Sequence, residues 1–548
     1  MERSKVEDIK SASHGLRGTI AETLPTGTDH FNEADAQLLK YHGIYQQDDR
    51  DLRLERKRQN LDKAYYFFTR TRLPGGKISA EQYLAHEPLI DKTASRSIRI
   101  TTRQDFQIHG VPKHLLKEHV QRLNRLGATT WGGSGDIARN TMCTTAVCQM
   151  PIASEMQELA EKLHEIFLPH SSAYKEIWLD APKSNEEEEP LYGKSYLPRK
   201  FKIAIALPPF NDVDIYAQDL GFAAHAPHGR VEGYTLIVGG GFGMTPSNPN
   251  TRPILGKPLF YIEAQHAVAA AIAMITLHRD FGNREDRKQA RMKYLIENRG
   301  LDWFRKEVET RMGISGQPPK ELNWETVADP LGWHEQSDGK LLCGVWVSQG
   351  RIKDTEQTRY RSAFRVIAQR WGFPMRLTPN CNLIFYNIEP DQREEVARVL
   401  REHGVADADA LTEARKMSHA CVALPTCGLA ITESERVFSG VMDQIDAILR
   451  ELKLEKEPIL IRMTGCSNGC SRPYDADIAF VGKSIGKYSV YRGGSKAGDR
   501  LGKLQSKEVP LEDLAVFTRP YLEQFAKERQ NGETFSAYWG RTFGVVPK

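Results

Sequence analysis

The sequence lacks any long apolar run, and this absence argues against a membrane-spanning helix. Such a helix needs about 18 apolar residues. The longest candidate, 267–277, is shorter and lies between His266 and His278. The first eight residues also lack the apolar stretch of a secretory signal peptide. We therefore expect a cytoplasmic protein.

A strong charge imbalance and a dinucleotide-binding motif are missing as well. The formal net charge is +4 over 548 residues, so no global field points to nucleic acid or a membrane surface. The Gly-rich turn at 239–243 lacks the G-x-G-x-x-G pattern of flavin and nicotinamide sites. Electrons for a redox reaction would therefore come from another protein. The length predicts about three domains.

Two stretches of the chain follow the same order of strand, turn, strand and helix. The first has a strand before the Pro-Gly-Gly turn at 74–76, a strand over 97–103 and a helix that stops at Gly127. The second has a strand and turn over 344–350, a strand over 376–385 and a helix that stops at Gly404. Both copies place the terminal glycine 28 residues after an arginine, Arg99 or Arg376. The spacing indicates an internal duplication; two unrelated αβ units are the alternative.

Four of the eight cysteines form two close pairs near the C-terminal end. Cys421 and Cys427 have C-x5-C spacing, and Cys466 and Cys470 have C-x3-C spacing. Four thiolates are what a [4Fe-4S] cluster needs. Structural zinc prefers pairs two to four residues apart, and disulfides are disfavoured in the cytoplasm. The spacing favours the cluster and leaves zinc, disulfides and core packing open.

Cations also occur at positions where strands are predicted to present one face. Period two places Lys200 and Lys202 on one side of a strand and Phe201 on the other. Two cations on one face repel each other unless an anion lies between them, so such strands would suit a polyanionic ligand. Solvated charges at a sheet edge are the alternative. The set is Arg70, Arg72, Arg99, Arg103, Arg139, Lys200 and Lys202.

These residues make the chain resemble the sulfite and nitrite reductase family over nearly its whole length. The cysteine motifs within 420–427 and 464–470 are the most specific part. The other matching segments are 16–22, 42–51, 70–76, 101–109, 196–202 and 283–294. The resemblance implies six-electron reduction of sulfite to hydrogen sulfide in sulfate assimilation and cysteine biosynthesis. Sirohaem nitrite reduction to ammonia is the alternative.

The resemblance also implies a sirohaem beside a [4Fe-4S] cluster and assigns residues to them. The cluster ligands would be Cys421, Cys427, Cys466 and Cys470, with Cys470 bridging to the haem iron. Sulfite would be bound by Arg72, Arg139, Lys200 and Lys202. The macrocycle contacts would be Arg70, Arg99, Thr101, Arg103, Gln107, Arg199, Arg291 and Asn468. The family's best-known members carry lysine at position 291, so this contact departs from the pattern.

The fold implied is α+β, with three domains and a pseudo-twofold internal duplication. We expect an N-terminal wrapping segment at 1–64 and a split ferredoxin-like domain at 65–133 plus 331–404. A first sirohaem-binding α+β domain would occupy 134–330. A second α+β domain with the cluster cysteines would occupy 405–548.

The choice of substrate and donor depends on a few local features. Nitrite reductases of the family carry asparagine where this chain has Lys202, and serine where it has Gly469, which favours sulfite. A zinc- or cluster-bearing binding protein without turnover would not need the aligned cations. A dissimilatory reductase subunit would carry further ferredoxin-type cysteine runs, which the sequence lacks. Segments 16–22 and 42–51 resemble enzymes served by an NADPH-dependent flavoprotein; ferredoxin is the alternative donor.

Overall fold

A computed structural model of the chain describes residues 3–183, 189–246 and 248–543. The strands are β1 (Ile44–Asp48), β2 (Tyr65–Arg70), β3 (Lys77–Ile78), β4 (Ile98–Ile100), β5 (Phe106–Val111), β6 (Met142–Cys143), β7 (Ile203–Ala206), β8 (Leu220–His225), β9 (Gly233–Val238), β10 (Lys257–Glu263), β11 (Gly332–Glu335), β12 (Leu341–Val345), β13 (Arg351–Ile352), β14 (Met375–Leu377), β15 (Leu383–Ile388), β16 (His419–Ala420), β17 (Ile461–Thr464), β18 (Ile478–Ser484), β19 (Lys487–Arg492) and β20 (Lys503–Pro510).

The helices connect and cover these strands. They are α1 (Lys5–Ser11), α2 (Ile20–Thr23), α3 (Glu33–Leu38), α4 (Arg53–Arg58), α5 (Ala80–Leu84), α6 (Glu87–Asp91), α7 (Leu116–Arg125), α8 (Ala153–Ile166), α9 (Ala173–Leu179), α10 (Ala267–Phe281), α11 (Met292–Arg299), α12 (Leu301–Met312), α13 (Tyr360–Trp371), α14 (Arg393–Glu402), α15 (Glu413–Met417), α16 (Glu435–Glu451), α17 (Leu514–Glu528) and α18 (Phe535–Thr542). Among the described residues, no helix has the length and apolar character to cross a membrane.

The two copies predicted from the sequence form two sheets that exchange their edge strands. One sheet has the order β1-β2-β5-β4-β13, and the other has the order β11-β12-β15-β14-β3. Strand β13 belongs to the second copy but pairs with β4 of the first, and β3 of the first copy pairs with β14 of the second. The duplication is confirmed, and the exchange ties the two halves into one unit.

A glycine at the same place in each copy makes this exchange possible. Gly76 and Gly350 both adopt positive φ, +75° and +70°. A Cβ on Gly76 would lie 2.3 Å from the carbonyl oxygen of Leu377, and a Cβ on Gly350 would lie 2.5 Å from that of Ile100. Only glycine allows the turn and the close approach of the other copy's strand.

Two strand predictions were too long. The segment 376–385 was predicted as one strand, but it forms the antiparallel pair β14 and β15, joined by a turn at 378–382. The turn follows from Pro379 and Asn380, which break a strand, and Cys381 has a φ of +68°. The strand predicted over 97–103 ends at Ile100. Arg103 therefore lies in the loop between β4 and β5.

The other two sheets repeat each other, and the sequence analysis did not predict this. Their orders are β10-β9-β8-β7-β6 and β16-β17-β18-β19-β20. In each sheet three parallel strands are followed by two antiparallel ones. We call them the first unit (β6–β10) and the second unit (β16–β20).

The N-terminal segment contributes to the core as well as covering it. Strand β1 pairs with β2, and Leu16, Ile20 and Leu39 are completely buried in the main apolar cluster. The sequence alone showed no apolar periodicity there because Leu16 and Leu39 lie in turns and Ile20 begins a helix of four residues. The predicted domain boundaries stay a prediction.

Candidate active site

A cleft of about 1010 Å³ lies where loops from three sheets meet. The loop between β4 and β5, the residues before β7 and α11, and the turn after β17 all contribute to its wall. Eight of its lining residues are cations, and none is Asp or Glu. These cations are Arg103, Arg199, Lys200, Lys202, Arg287, Lys288, Arg291 and Arg472. We call this the cationic cleft; its composition suits a ligand with several carboxylates.

The predicted lysines lie together on the cleft wall. They precede β7 rather than belonging to it, but Phe201 between them is buried as predicted. Burial, together with Arg103 and Arg291, lowers the pKa of Lys202 to about 7. Burial also lowers the pKa of Lys200 well below its usual value, with Lys202 adding to the effect. Both ammonium groups would be stabilised by an anion in the cleft.

Hydrogen bonds to three other residues hold the Arg103 guanidinium at the wall of the cleft. Its Nη1 donates to Gln218 Oε1 at 3.0 Å, and its Nη2 donates to the carbonyl oxygens of Asn140 and Ile203 at 2.5 and 3.1 Å. Its backbone N–H donates to Thr101 Oγ1 at 3.1 Å. Its buried Nε has no protein partner among the described residues, so one donor stays available to a ligand.

The other strand residues predicted to contact a macrocycle have protein partners. Arg99 Nε lies 2.9 Å from Glu435, and its Nη2 donates to the carbonyl oxygen of Ala420 at 2.7 Å. Arg70 Nε donates to the Gln107 side-chain oxygen at 2.9 Å when that amide is oriented to satisfy both groups. Arg70, Arg99 and Gln107 are not among the residues that line the cleft, and Arg99 contacts the residue directly before Cys421.

Arg291 and Arg199 line the cleft, and each contacts a buried carboxylate. The Arg291 guanidinium binds Asp219 through Nη2, at 2.8 and 3.0 Å from the two oxygens. Arg199 Nη1 lies 3.5 Å from Asp136. Asp136 also accepts from Arg287 at 2.8 Å and lies 3.9 Å from Lys10. The sequence analysis missed both carboxylates because neither belongs to a motif.

Arg139 and Arg72 have different surroundings, although both were predicted to bind sulfite. Burial would raise the pKa of Tyr45, but Arg139 and Arg70 together lower it, which indicates that these three side chains are close. Arg72 and Arg139 are both buried, and neither is among the residues that line the cleft. The Nη1 of Arg72 donates to the carbonyl oxygens of Gly132 and Ala138 at 3.3 and 3.1 Å, and its Nε donates to His164.

The four predicted cluster cysteines follow two neighbouring parallel strands. Cys421 comes directly after β16, and Cys466 comes two residues after β17. Because both strands end at the same edge of the sheet, the two loops meet. Thr464 Oγ1 and the N–H of Gly465 both lie 3.3 Å from Cys421 Sγ as donors, the kind of hydrogen bond that tunes a bound cluster.

The thiols affect one another's pKa values electrostatically, which indicates that they lie close together. Burial, together with the nearby Cys470, raises the pKa of Cys427 to about 11 and that of Cys466 to about 12. All four are free thiols. A Cβ on Gly465 would lie 2.5 Å from Ala423 Cβ, so glycine lets the loops pack together. Four free thiols in two adjoining loops fit a [4Fe-4S] cluster.

Cys470 and Asn468 connect the cysteine loops to the cationic cleft. Both line the cleft, and Asn468 Nδ2 also lies 3.5 Å from Cys466 Sγ. A group bound in the cleft would therefore touch the residues that hold the cluster. Cations around the cleft and a thiol in its wall fit a polycarboxylate macrocycle with a thiolate-ligated iron.

Comparisons with known proteins identify the family and the fold of the chain. The family description "Nitrite and sulphite reductase 4Fe-4S domain" matches residues 160–315, and "Nitrite/Sulfite reductase ferredoxin-like half domain" matches residues 58–126 and 334–403. The second description matches both copies of the duplication. The structure of the Mycobacterium tuberculosis NirA protein has the same fold, with a TM-score of 0.80 and 22% identity over 99% of this chain and 97% of that one.

Curated relatives are similar over nearly their whole length. The chain is 43% identical to one from Staphylococcus haemolyticus, covering 99% of this chain and 95% of that protein. It is 44% identical to one from Oceanobacillus iheyensis, covering 97% and 93%. A relative from Chromohalobacter salexigens is 43% identical, covering 99% and 95%. Each is named "Sulfite reductase [NADPH] hemoprotein beta-component".

Proposed function

The chain belongs to the nitrite and sulfite reductase family, and from that premise we propose how its residues act and which protein supplies its electrons. Its reaction is the six-electron reduction of sulfite to sulfide in sulfate assimilation. Its cofactors are a sirohaem and a [4Fe-4S] cluster. The observation that carries the assignment of residues is the cationic cleft, which has eight cations, no carboxylate and Cys470 in its wall.

We assign the cluster to Cys421, Cys427, Cys466 and Cys470; Cys470, which also lines the cleft, would serve the haem as well. When bound, the cofactors would supply electrons one at a time. The N–H of Gly465 and the hydroxyl of Thr464 stabilise the thiolate of Cys421. The parallel strands β16 and β17 fix the spacing of the two cysteine loops.

We assign the sirohaem carboxylates to the cations and donors around the cleft. Arg103, Arg199, Arg291 and Asn468 line it directly. Arg70, Arg99, Thr101 and Gln107 are not among the lining residues, and we assign them as the further donors that the resemblance implies. Arg99 is paired with Glu435 and the carbonyl of Ala420, so its role includes fixing the loop that begins at Cys421. Arg291 also forms an ion pair with Asp219.

We propose that Lys200, Lys202 and Arg139 bind sulfite. The two lysines concentrate positive charge at one wall, which suits a dianion better than the singly charged nitrite. A pKa of about 7 lets Lys202 give up and regain a proton near neutral pH, as the loss of sulfite oxygens as water requires. Sulfite is thus favoured over nitrite as the substrate.

Arg72 has a structural role beside the sulfite contact that the resemblance implies. Its Nε donates to His164 and its Nη1 donates to the carbonyls of Gly132 and Ala138, while its buried Nη2 has no partner among the described residues. Ala138 directly precedes Arg139 in the chain. We propose that Arg72 positions the loop that carries Arg139 and keeps Nη2 as a donor for sulfite.

We propose an NADPH-dependent flavoprotein as the electron donor, with ferredoxin as the alternative. The relatives are named as NADPH-type components. The loop that carries Cys427 lies near the surface, since Leu429 is 70% exposed. Arg50 Nη1 holds this loop through the carbonyls of Cys427 and Ala430 at 3.0 and 3.2 Å. We also propose a cytoplasmic location, where the eight free thiols would stay reduced.

The test combines a spectrum, a metal count and kinetics on one sample. We expect sirohaem-type visible bands, and about five irons and four sulfides per chain. A small chemical reductant should drive sulfite reduction with a higher kcat/KM than nitrite reduction. A purified protein that binds zinc, and that reconstitution fails to load with iron, would contradict the proposal.

A further inference from the structure

A second cleft, of about 640 Å³, lies between α8 and the strands β14 and β15. Two of its lining residues, Lys77 and Arg376, are cations, and none is Asp or Glu. Cys148, Ser154, Gln157 and Tyr386 are among its other lining residues. None of these residues has a place in the proposed reaction.

Arg376 is the unusual member of this cleft. It is 6% exposed, yet its guanidinium makes no hydrogen bond or ion pair with any residue that the structure describes. Its Nη1 is buried without a partner. Burial would lower the pKa of Arg376, but Glu161 lies near enough to help raise it. Glu161 makes no hydrogen bond with Arg376, so the buried Nη1 is left for an anion from outside the chain.

The duplicated copy shows what the missing partner would be. Arg376 is the middle residue of β14, as Arg99 is of β4. Arg99 binds Glu435, the first residue of α16, at 2.9 Å. Helix α8 of the first unit begins with Ala153, which lines the second cleft beside Arg376. An alanine thus stands where the other copy has its carboxylate.

Glu161, one of the carboxylates of α8, does not take the place of Glu435 as a hydrogen-bonding partner for the arginine. Glu161 lies 3.2 Å from Lys77 Nζ and accepts from Gln157 Nε2 at 2.9 Å. This pairing leaves the Arg376 guanidinium facing the cleft. A planar guanidinium with free donors binds two oxygens of a carboxylate or a tetrahedral oxyanion at once.

We propose that the second cleft is a binding site for a small oxyanion, with Arg376 as its charged partner and Lys77 at its rim. The ligand has two oxygens to offer the guanidinium, as sulfate and carboxylates do. The site is separate from the cationic cleft and does not depend on the reaction proposed there.

The experiment measures anion binding to the holoenzyme and compares sodium sulfate, sodium acetate and sodium chloride at equal ionic strength. The variants are Arg376→Gln, Ala153→Glu and, as a control for general charge effects, Arg125→Gln at the exposed end of α7. Crystals soaked in selenate, a heavier relative of sulfate, locate the anion. Sulfate binding without acetate binding would assign a tetrahedral oxyanion, and the reverse would assign a carboxylate.

We expect a selenate peak within hydrogen-bonding distance of Arg376 in the wild type and in Arg125→Gln. We expect none in Arg376→Gln or Ala153→Glu, and at least tenfold weaker anion binding at this site in both. Ala153→Glu should also raise the melting temperature without added anion, because the chain then supplies the missing carboxylate. Equal binding in all four proteins, or no peak at Arg376 in the wild type, would overturn the proposal.

Discussion

The first and second units share their strand order but differ in the side chains that their loops carry. The N–H of Lys202 donates to Asp219 Oδ2, and the N–H of Leu460 donates to Asp477 Oδ2, both at 2.9 Å. Asp214 and Arg472 take the same left-handed conformation at the same point, with φ of +46° and +54°. The frame is shared down to single hydrogen bonds.

The difference lies in a few loop positions. Counted from the last residue of β7 or β17, Pro208 and Asp212 stand where Cys466 and Cys470 stand. Directly after β6 the first unit has Thr144, where the second has Cys421.

The cations show the reverse pattern. Before β7 the first unit has Arg199, Lys200 and Lys202, and before β17 the second has Glu457, Pro458 and Leu460. One unit thus supplies charge to the cleft and the other supplies thiols. The comparison shows that one strand arrangement can serve two kinds of site, and that the side chains in the loops at the strand ends decide what is bound.

The largest effect should come from Cys470→Ser, which removes a thiol that the first unit lacks at the same position. We expect loss of the coupled cofactors and sulfite reduction below detection, because serine is a poor ligand for iron. The absorption spectrum and sulfite consumption with a chemical reductant measure this. The control is Cys148→Ser in the first unit, which should keep full activity. Full activity in Cys470→Ser would refute the ligand assignment.

Asp136→Asn should have the next largest effect, because this carboxylate holds the cations of the first unit. Burial would raise the pKa of Asp136, but Arg287, Lys10 and Arg199 hold it well below its usual value. Removing the charge from such a buried network should cost about 3 kcal/mol of unfolding free energy, measured by denaturant titration.

Asp136→Asn should also change how the stability of the fold depends on pH. Because the folded pKa of Asp136 is depressed, its contribution to stability is present above its unfolded pKa, about 4. It is lost as the pH falls further. The wild type should therefore lose stability below that pH more steeply than Asp136→Asn. Parallel curves for the two proteins would remove Asp136 as the centre of the network.

Lys202→Asn should shift the preference from sulfite towards nitrite, since it removes one of the two cations that suit a dianion. We expect the ratio of kcat/KM values to change about tenfold, or about 1.4 kcal/mol. Lys202→Arg keeps the charge and should keep the preference. Unchanged selectivity in Lys202→Asn would remove the main reason for separating the two substrates.

The smallest effect is the pH dependence of sulfite binding. With a pKa of about 7, Lys202 loses its charge as the pH rises through neutrality, so the KM for sulfite should rise a few-fold between about pH 6.5 and 8.5. Lys202→Arg, which stays charged, should flatten this rise. A rise of the same size in that variant would assign the titration to another group.

The sequence by itself determined the ligand chemistry and the first duplication. The cysteine spacings, the run Arg199-Lys200-Phe201-Lys202 and the 28-residue repeat are local patterns. Local patterns survive in the sequence because neighbouring residues along a strand or loop stay neighbours after folding.

Only the tertiary structure decided which of these residues meet. The exchange of β3 and β13, the likeness of the two units and the network at Asp136 all join residues far apart in the chain. The sequence analysis counted Arg72 among the cations of an anion site and gave Arg376 no such role. In the structure Arg72 donates to carbonyls through Nη1, and Arg376 lacks the carboxylate that its counterpart Arg99 has. Pairings of this kind depend on how helices and sheets pack, and no spacing along the chain records them.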